Sequence, residues 1–469
     1  SHWHWLLNLD ERDCAKKGPS DNVWLSDGRQ GKNTFVSMLI MGGQTGSRCE
    51  TTLASPQDRE RINFIKQAFL QYYSNRGDRI ALPPDFRSRE FGFLAFREKF
   101  MTRHKAIGSH EELIKNIRTL VPSDIYYSTA YYVRPADEME RKGWLGSDLV
   151  FDVDADHIET PCKANHDVWR CSGCGLTKQG KPPAHCPSCG KAKFEERAWL
   201  CDECLNAAKN EVIKLIDFLA KDFGVPEPDM HVFFSGHRGY HLHVRTEQVR
   251  KLDESQRKEI VDYVLGLGLD VFFQGLYKKP KDIIVGPQLS DPGWRGRFAR
   301  ETYRLIMQGT EEELVDLGFS PRRARLIIQE RPERQERWQK EILWSEFEDR
   351  FHVKDTTWRT IFERAISKGA LPAEIDTVVT TDIHRLIRLP ETLNGKTGLR
   401  AMAVSNLDTF DPFIDPIAFE GEQAVRVTVS PAFRMGDANY GPYVKQDVTL
   451  PAAAAMLLLC KGVGDPIQK

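Results

Sequence analysis

The chain has 469 residues, 41% hydrophobic and 28% charged, with a formal net charge of −1. That length exceeds one simple core and implies about two or three domains or large insertions. The near-zero charge excludes a basic footprint spread over the whole chain, so any nucleic-acid surface must be a local patch; no apolar run approaches the roughly 18 residues of a membrane helix.

Residues 1–55 are rich in Gly, Ser and Asn, have weak periodicity and stay unassigned. Within them Gly42-Gly43-Gln44-Thr45-Gly46 lacks the Gly-Lys-Ser/Thr of a phosphate loop and reads as a turn. The first residues have neither the basic flank nor the apolar core of a signal peptide, so a cytoplasmic protein is expected. Arg59 to Tyr73 forms an amphipathic helix, with Ile62, Ile65, Phe69 and Tyr72 or Tyr73 on one face. Phe91–Phe100 and Ile125–Val133 are strand-like. Leu149-Val150-Phe151-Asp152-Val153-Asp154 reads as a buried strand carrying two carboxylates. A cysteine-rich stretch follows, then a helix from about Leu205 to Phe223 that ends near Gly224 and Pro226. His231–Phe234 and Tyr240–Arg245 are two strands joined by a tight Gly turn. Arg297 to Lys368 shifts to Arg, Glu, Gln and Leu at helical spacing, a helical subdomain whose mixed charges suit a solvated surface. Strand signals return at Ile375–Thr380 and Ala424–Val429.

The acidic strand carries the first chemical motif. Residues i and i+2 of a strand share a face, so Asp152 and Asp154 stand side by side. Two like charges that close raise each other's pKa unless a cation neutralises them. Mg²⁺ takes one or two carboxylates together with substrate phosphates, which fits the pair. The second motif is Ser235-Gly236-His237-Arg238-Gly239-Tyr240-His241-Leu242-His243. Its two glycines let backbone N–H groups approach an anion, and Arg238 offers a bidentate fork for phosphate. His241 and His243 alternate onto one strand face. The third motif has a strand placing Asp376, a short helix with Arg385 and Arg388 one turn apart, then Asn394-Gly395-Lys396-Thr397-Gly398. A further carboxylate beside several cations suits two-metal nucleotidyl transfer.

Seven of the ten cysteines lie between Cys162 and Cys204, a clustering that favours metal over disulfides. Cys171-x2-Cys174 and Cys186-x2-Cys189 make a complete four-thiolate zinc ribbon. Cys162, Cys201 and Cys204 need a fourth ligand; His166 is nearest in sequence and His157 second. Two structural zinc ions are expected, since neither set leaves an obvious open position.

Taken together, these motifs resemble the small catalytic subunit of archaeal and eukaryotic DNA primase, in wording closer to the archaeal proteins. The likeness runs from about Ile62 to Gly464. It is carried by Arg89-Glu90-Phe91, Asp152-Val153-Asp154, Ser235 through His241, the Asp376 segment through Gly398, and Leu450-Pro451 before an apolar helix, in the family's order. The resemblance implies an α/β core with a mixed sheet flanked by helices. Into it would be inserted a zinc module and a helical subdomain: 56–160, 205–296 and 371–469 as core, 161–204 as zinc knuckle with ribbon, 297–370 as helices. It carries over Asp152, Asp154 and Asp376 as ligands of Mg²⁺ or Mn²⁺. Ser235, Arg238, His241 and Arg388 become nucleotide-phosphate contacts, and Asp124 aligns loosely with an acidic residue that touches the incoming sugar. The family's zinc knuckle matches Cys162, Cys201 and Cys204. Two departures stand out: Asn394 replaces a frequent His and cannot carry positive charge, and the Cys171–Cys189 ribbon is an insertion. The implied activity is synthesis of short RNA primers from nucleoside triphosphates on single-stranded DNA during replication, in a heterodimer with a large subunit. The rival readings are a primase-like gap-filling or end-joining polymerase and an inactive zinc-ribbon nucleic-acid-binding protein.

Overall fold

The computed structural model describes residues 56–467, except 97–100, 276, 281–282, 341, 343, 352–354 and 368–370. The expectations for residues 1–55, including the Gly42–Gly46 turn, and for the end of the Phe91–Phe100 segment lie outside the described residues.

Two four-stranded sheets position the site. One runs Leu386–Arg388, Asp124–Ser128, Phe91–Leu94, Met101–Lys105; the other runs Met402–Val404, Met230–Phe234, Gly239–Val244, Leu149–Asp154. Every strand pairing among the described residues is antiparallel, which corrects the expected mixed sheet. The hairpin Met230–Val244 is closed by a four-residue turn, and such tight turns impose antiparallel neighbours, whereas parallel ones need long crossovers.

Helix Asp202–Lys221 packs on the second sheet and buries Leu205, Ala208, Val212, Leu215 and Leu219, spaced three or four apart, while Phe218 packs on Tyr263 and Trp294. Asp202 and Glu203 in its first turn and Lys221 in its last complement the helix dipole. Helix Pro56–Arg76 buries Ile65, Phe69, Tyr72 and Tyr73. Helix Ala452–Cys460 is buried from Ala453 through Leu459, so its all-apolar composition serves the core. Among the described residues no helix is long and apolar enough to cross a membrane.

Between 293 and 367 the chain is helical: Gly293–Gln308, Glu311–Asp316, Pro321–Lys340, Trp344–Phe351 and Asp355–Ser367. Thr310 and Glu313 close a capping box at the second of these. Trp344 and Trp358 pack edge-on with ring centres 4.8 Å apart, and Trp338 meets Phe347 at 5.2 Å. Strands Val168–Cys171, Thr177–Gln179 and Phe194–Arg197 form a separate small sheet around the inserted cysteines.

Two local expectations are corrected. Asp376 lies before a helix, Thr377–Thr381, and not in a strand. Its carboxylate accepts the N–H groups of Val378 and Val379, and this cap outweighs the β-preference of the Val-Val-Thr-Thr run. Arg388 sits in a strand, not a helix, because Leu386–Arg388 pairs with Tyr126–Ser128 and satisfies its backbone there.

Candidate active site and metal centres

The acidic strand pairs with the outgoing strand of the hairpin so that Asp152 faces His241 and Asp154 faces Gly239. A side chain at Gly239 would come within 2.5 Å of the Val153 carbonyl, so only glycine lets the two strands close at this point. His241 Nε2 lies 3.6 Å from Asp152 Oδ1. The Asp376 N–H donates to the Asp152 carbonyl at 2.8 Å and its charge reaches Asp152, but its carboxylate caps the helix Thr377–Thr381 and is not on the wall of the cavity that holds the pair. Burial, then the Asp376 charge, push the Asp152 carboxyl up to about 6. Burial, then Asp156, raise Asp154. Burial and the Arg388 charge push His241 down to about 4, so its imidazole is neutral near pH 7 and offers an N–H in place of a charge.

The hairpin turn is held from inside. Gly236 has φ +75°, a conformation that favours glycine. The N–H groups of His237 and Gly239 both donate to Ser235 Oγ at 3.3 Å, so Ser235 satisfies the turn it begins. Asn394 Nδ2 donates to the Ser235 carbonyl at 3.1 Å, and Thr397 Oγ1 to the Gly236 carbonyl. Asn394 is 2% exposed, and its Oδ1 accepts the Lys396 N–H. Its amide is therefore committed to joining two turns.

Arg388 forms an ion pair with Asp124 and lies over the Tyr126 ring. Burial opposes ionisation of Asp124, but the Arg388 guanidinium outweighs it and holds the carboxyl below its ordinary range. Gly395 N–H and Ser123 Oγ also donate to Asp124, at 3.1 and 2.8 Å. A cavity of about 430 Å³ gathers Asp152, Asp154, Ser235, His241, Arg385 and Arg388, with Asp124 and Asn394 also on its wall. A carboxylate pair facing two guanidiniums and a neutral histidine can hold divalent cations next to a phosphate ester.

Arg238 is not among these walls. It is fully buried and pairs with Asp156 at 3.0 Å and Asp167 at 3.1 Å; its Nη2 lies 3.5 Å from Cys204 Sγ. The expected phosphate fork is thus turned toward the zinc knuckle, and its neighbour His237 lines the cavity instead. Asp167 also accepts from His166 Nδ1 at 2.8 Å and from the Trp199 N–H at 3.0 Å.

Cys162, His166, Cys201 and Cys204 place four ligand atoms within 4.8 Å of one another, and so do Cys171, Cys174, Cys186 and Cys189. Both sets have the donor types and number of a closed tetrahedral zinc site. His166, not His157, lies with the three cysteines of the knuckle. Asp154, Asp156 and His237 form a third such grouping. Sequence reasoning passed over Asp156, although it continues the alternation of Asp152 and Asp154. It also missed Asp167 and Lys461, which no local pattern marks.

Comparison with known proteins gives the family. A family profile described as DNA primase small subunit matches residues 185–405. The chain is 33% identical over 401 residues to the DNA primase small subunit PriS of Cenarchaeum symbiosum, covering 85% of this chain and 97% of that protein. PriS of Methanothrix thermoacetophila is 33% identical over 427 residues (86% and 98%), and PriS of Archaeoglobus fulgidus 33% over 407 (85% and 97%). By identity and coverage together, the chain belongs to the DNA primase small subunit family.

Proposed function

We propose that this chain is the catalytic subunit of a DNA primase, which joins nucleotides on single-stranded DNA and starts chains without a primer, in a heterodimer with a large subunit. The observation that carries the reading is the Asp152/Asp154 pair facing Arg385 and Arg388 across one cavity. Asp152, Asp154 and Asp376 would hold two Mg²⁺ or Mn²⁺ ions. Bound there, such ions would activate the attacking 3′-hydroxyl and stabilise the pyrophosphate leaving group.

The protein's own groups have separable tasks. Arg385 and Arg388 supply fixed positive charge where phosphate charge builds. His241 donates a hydrogen bond beside Asp152. Asp124, held ionised by Arg388, is a fixed acceptor for a sugar hydroxyl. Ser235 and Asn394 set the shape of the turn, and Arg238 is a positioning residue that ties that turn to the knuckle. Zinc is the metal we assign to both cysteine clusters, with a structural role, and residues 161–204 are read as one inserted module.

The test is a template-only assay with no primer present. Asp152→Asn and Asp154→Asn should each reduce nucleotide addition by at least about a thousandfold, because amides fill the space but bind divalent cations poorly. Circular dichroism and zinc content should match the parent. Near-normal synthesis by both variants rejects the assignment. Extension that occurs only on added primers favours a gap-filling polymerase.

A further inference from the structure

Glu211 is a carboxylate set in an apolar stripe. On helix Asp202–Lys221 it follows Cys204 and Ala208 and precedes Leu215, all buried and three or four residues apart, and it is itself only 9% exposed. A buried carboxylate is costly unless it is paired and hydrogen-bonded. Both of its oxygens are engaged: Oε1 pairs with Lys214 Nζ at 2.7 Å, and Oε2 accepts the Glu374 N–H at 2.9 Å. Lys214 Nζ in turn donates to the Pro372 carbonyl at 3.0 Å.

Pro372 and Glu374 belong to the segment that returns from the helical stretch and leads to Asp376. Ala373 between them is fully buried, and its N–H donates to the carbonyl of Val264, the last residue of helix Glu254–Val264, at 3.3 Å. Beyond Glu374, the Asp376 N–H donates to the Asp152 carbonyl. The Asp376 side chain caps its own helix, so it is through its backbone that this segment is held to the core. Cys204 of the zinc knuckle precedes Glu211 on the same helix face by two turns, about 10 Å at the usual rise per residue. One helix therefore carries a knuckle cysteine in its first turn and, two turns on, an anchor of the Asp376 segment.

We propose that Glu211 and Lys214 are positioning residues for Asp376: they tie the segment 372–376 to the knuckle's helix and so fix where the third carboxylate stands relative to Asp152 and Asp154. The proposal rests on the reading of Asp376 as a ligand of the catalytic Mg²⁺ or Mn²⁺. It requires no contact between Glu211 and substrate, so its mark is a defect in metal binding and turnover that spares the nucleotide KM. It also gives a buried acid two turns inside a helix a task that no motif suggested.

The test is a double-mutant cycle in the zinc-loaded full chain with its large subunit: Glu211→Ala, Asp376→Asn and the two together, with Glu211→Gln and Lys214→Met beside them. Mn²⁺ affinity is read by electron paramagnetic resonance without substrate, and steady-state kinetics are run on template. Glu211→Ala should weaken Mn²⁺ binding about tenfold and lower kcat about tenfold to a hundredfold, as a misplacement of about 1 Å can, with the nucleotide KM within about twofold. Glu211→Gln keeps an oxygen for the Glu374 N–H and should keep most of both. In the double variant the Glu211 change should add little to the Asp376→Asn loss, because its effect runs through that residue. Additive losses overturn the proposal, and so does Glu211→Ala with a lower Tm but unchanged Mn²⁺ affinity and kcat. An equal loss in Glu211→Gln also overturns it, because the buried charge and not the tie would then matter. So does loss of the knuckle's zinc in Glu211→Ala, which would mean general damage to the helix. If Glu211→Ala does not fold, Lys214→Met, which loses the bond to the Pro372 carbonyl, must weaken Mn²⁺ binding about threefold, and no change overturns the proposal. Normal Mn²⁺ binding by Asp376→Asn refutes the reading of Asp376 as a ligand and the proposal with it. A defective Asp376→Asn beside a normal Glu211→Ala refutes the proposal alone.

Discussion

The two cysteine clusters share ligand chemistry but differ in how they join the rest of the chain. Cys162 and Cys204 of the knuckle lie in the main hydrophobic core with Trp199, Leu200 and Leu205. His166 passes its second nitrogen to Asp167, and Asp167 holds Arg238 of the hairpin turn. The ribbon has its own small cluster of Trp169, Cys171 and Cys186, packed by Leu176 and Phe194, and Cys174 and Cys189 are exposed. A metal's influence on a protein runs through the groups that orient its ligands. On that ground the knuckle is joined to the hairpin turn beside the candidate site, and the ribbon packs chiefly on itself.

The largest effect expected from this contrast is at Cys204. Cys204→Ser should release the knuckle's metal and cost about 3 kcal/mol or more, since metal binding and folding are coupled and Arg238 loses a neighbour. Zinc content and urea unfolding measure it. A variant with both metals and normal stability would break the comparison.

Asp167→Asn comes next. It keeps an acceptor for His166 but leaves fully buried Arg238, among the described residues, with Asp156 as its one ion-pair partner. A loss of about 1–3 kcal/mol is expected, with nucleotide addition falling more than template binding. Both readouts are needed, because stability loss without a kinetic change would mean the knuckle is wired only to the core.

Mn²⁺ binding sharpens the contrast through pH. The Asp152 carboxyl is raised to about 6, so below that pH it carries a proton that the metal must displace. Affinity should fall about tenfold per pH unit below about 6 and level off above about 7. Arg385 is among the groups that lower Asp152, so Arg385→Gln should shift the profile to higher pH, whereas ribbon variants should leave it in place. Thermal-shift titration of zinc-loaded protein with Mn²⁺ gives both curves.

The smallest effect belongs to the ribbon. Cys171→Ser with Cys174→Ser should remove only its metal and change global stability by within about 1 kcal/mol, because its hydrophobic cluster is separate. Loss of the knuckle's metal in that variant would refute the separation.

Much of the site was legible because it rests on short-range rules. Strand alternation placed Asp152 and Asp154 on one face, and CxxC spacing marked the cysteines of both clusters. Helical periodicity located the long helices, and Gly236 and Gly239 marked a turn that only permissive residues close. Local rules failed where a neighbour from elsewhere decided the outcome. Asp376 caps a helix that its β-branched residues argue against. Arg388 became a strand residue because the edge at Tyr126–Ser128 was there to pair with.

The sequence by itself determined the ligand types, their order, the same-face carboxylates and the family likeness, since these depend on covalent neighbours and backbone period. Tertiary structure decided which histidine lies with the knuckle's cysteines, that Arg238 faces Asp156 and Asp167, and that Asn394 braces the turn. It also brought Lys461 to His237 across 224 positions of sequence. Such pairings depend on burial and on which charges meet inside a folded core, and neither is written in the spacing of any one segment.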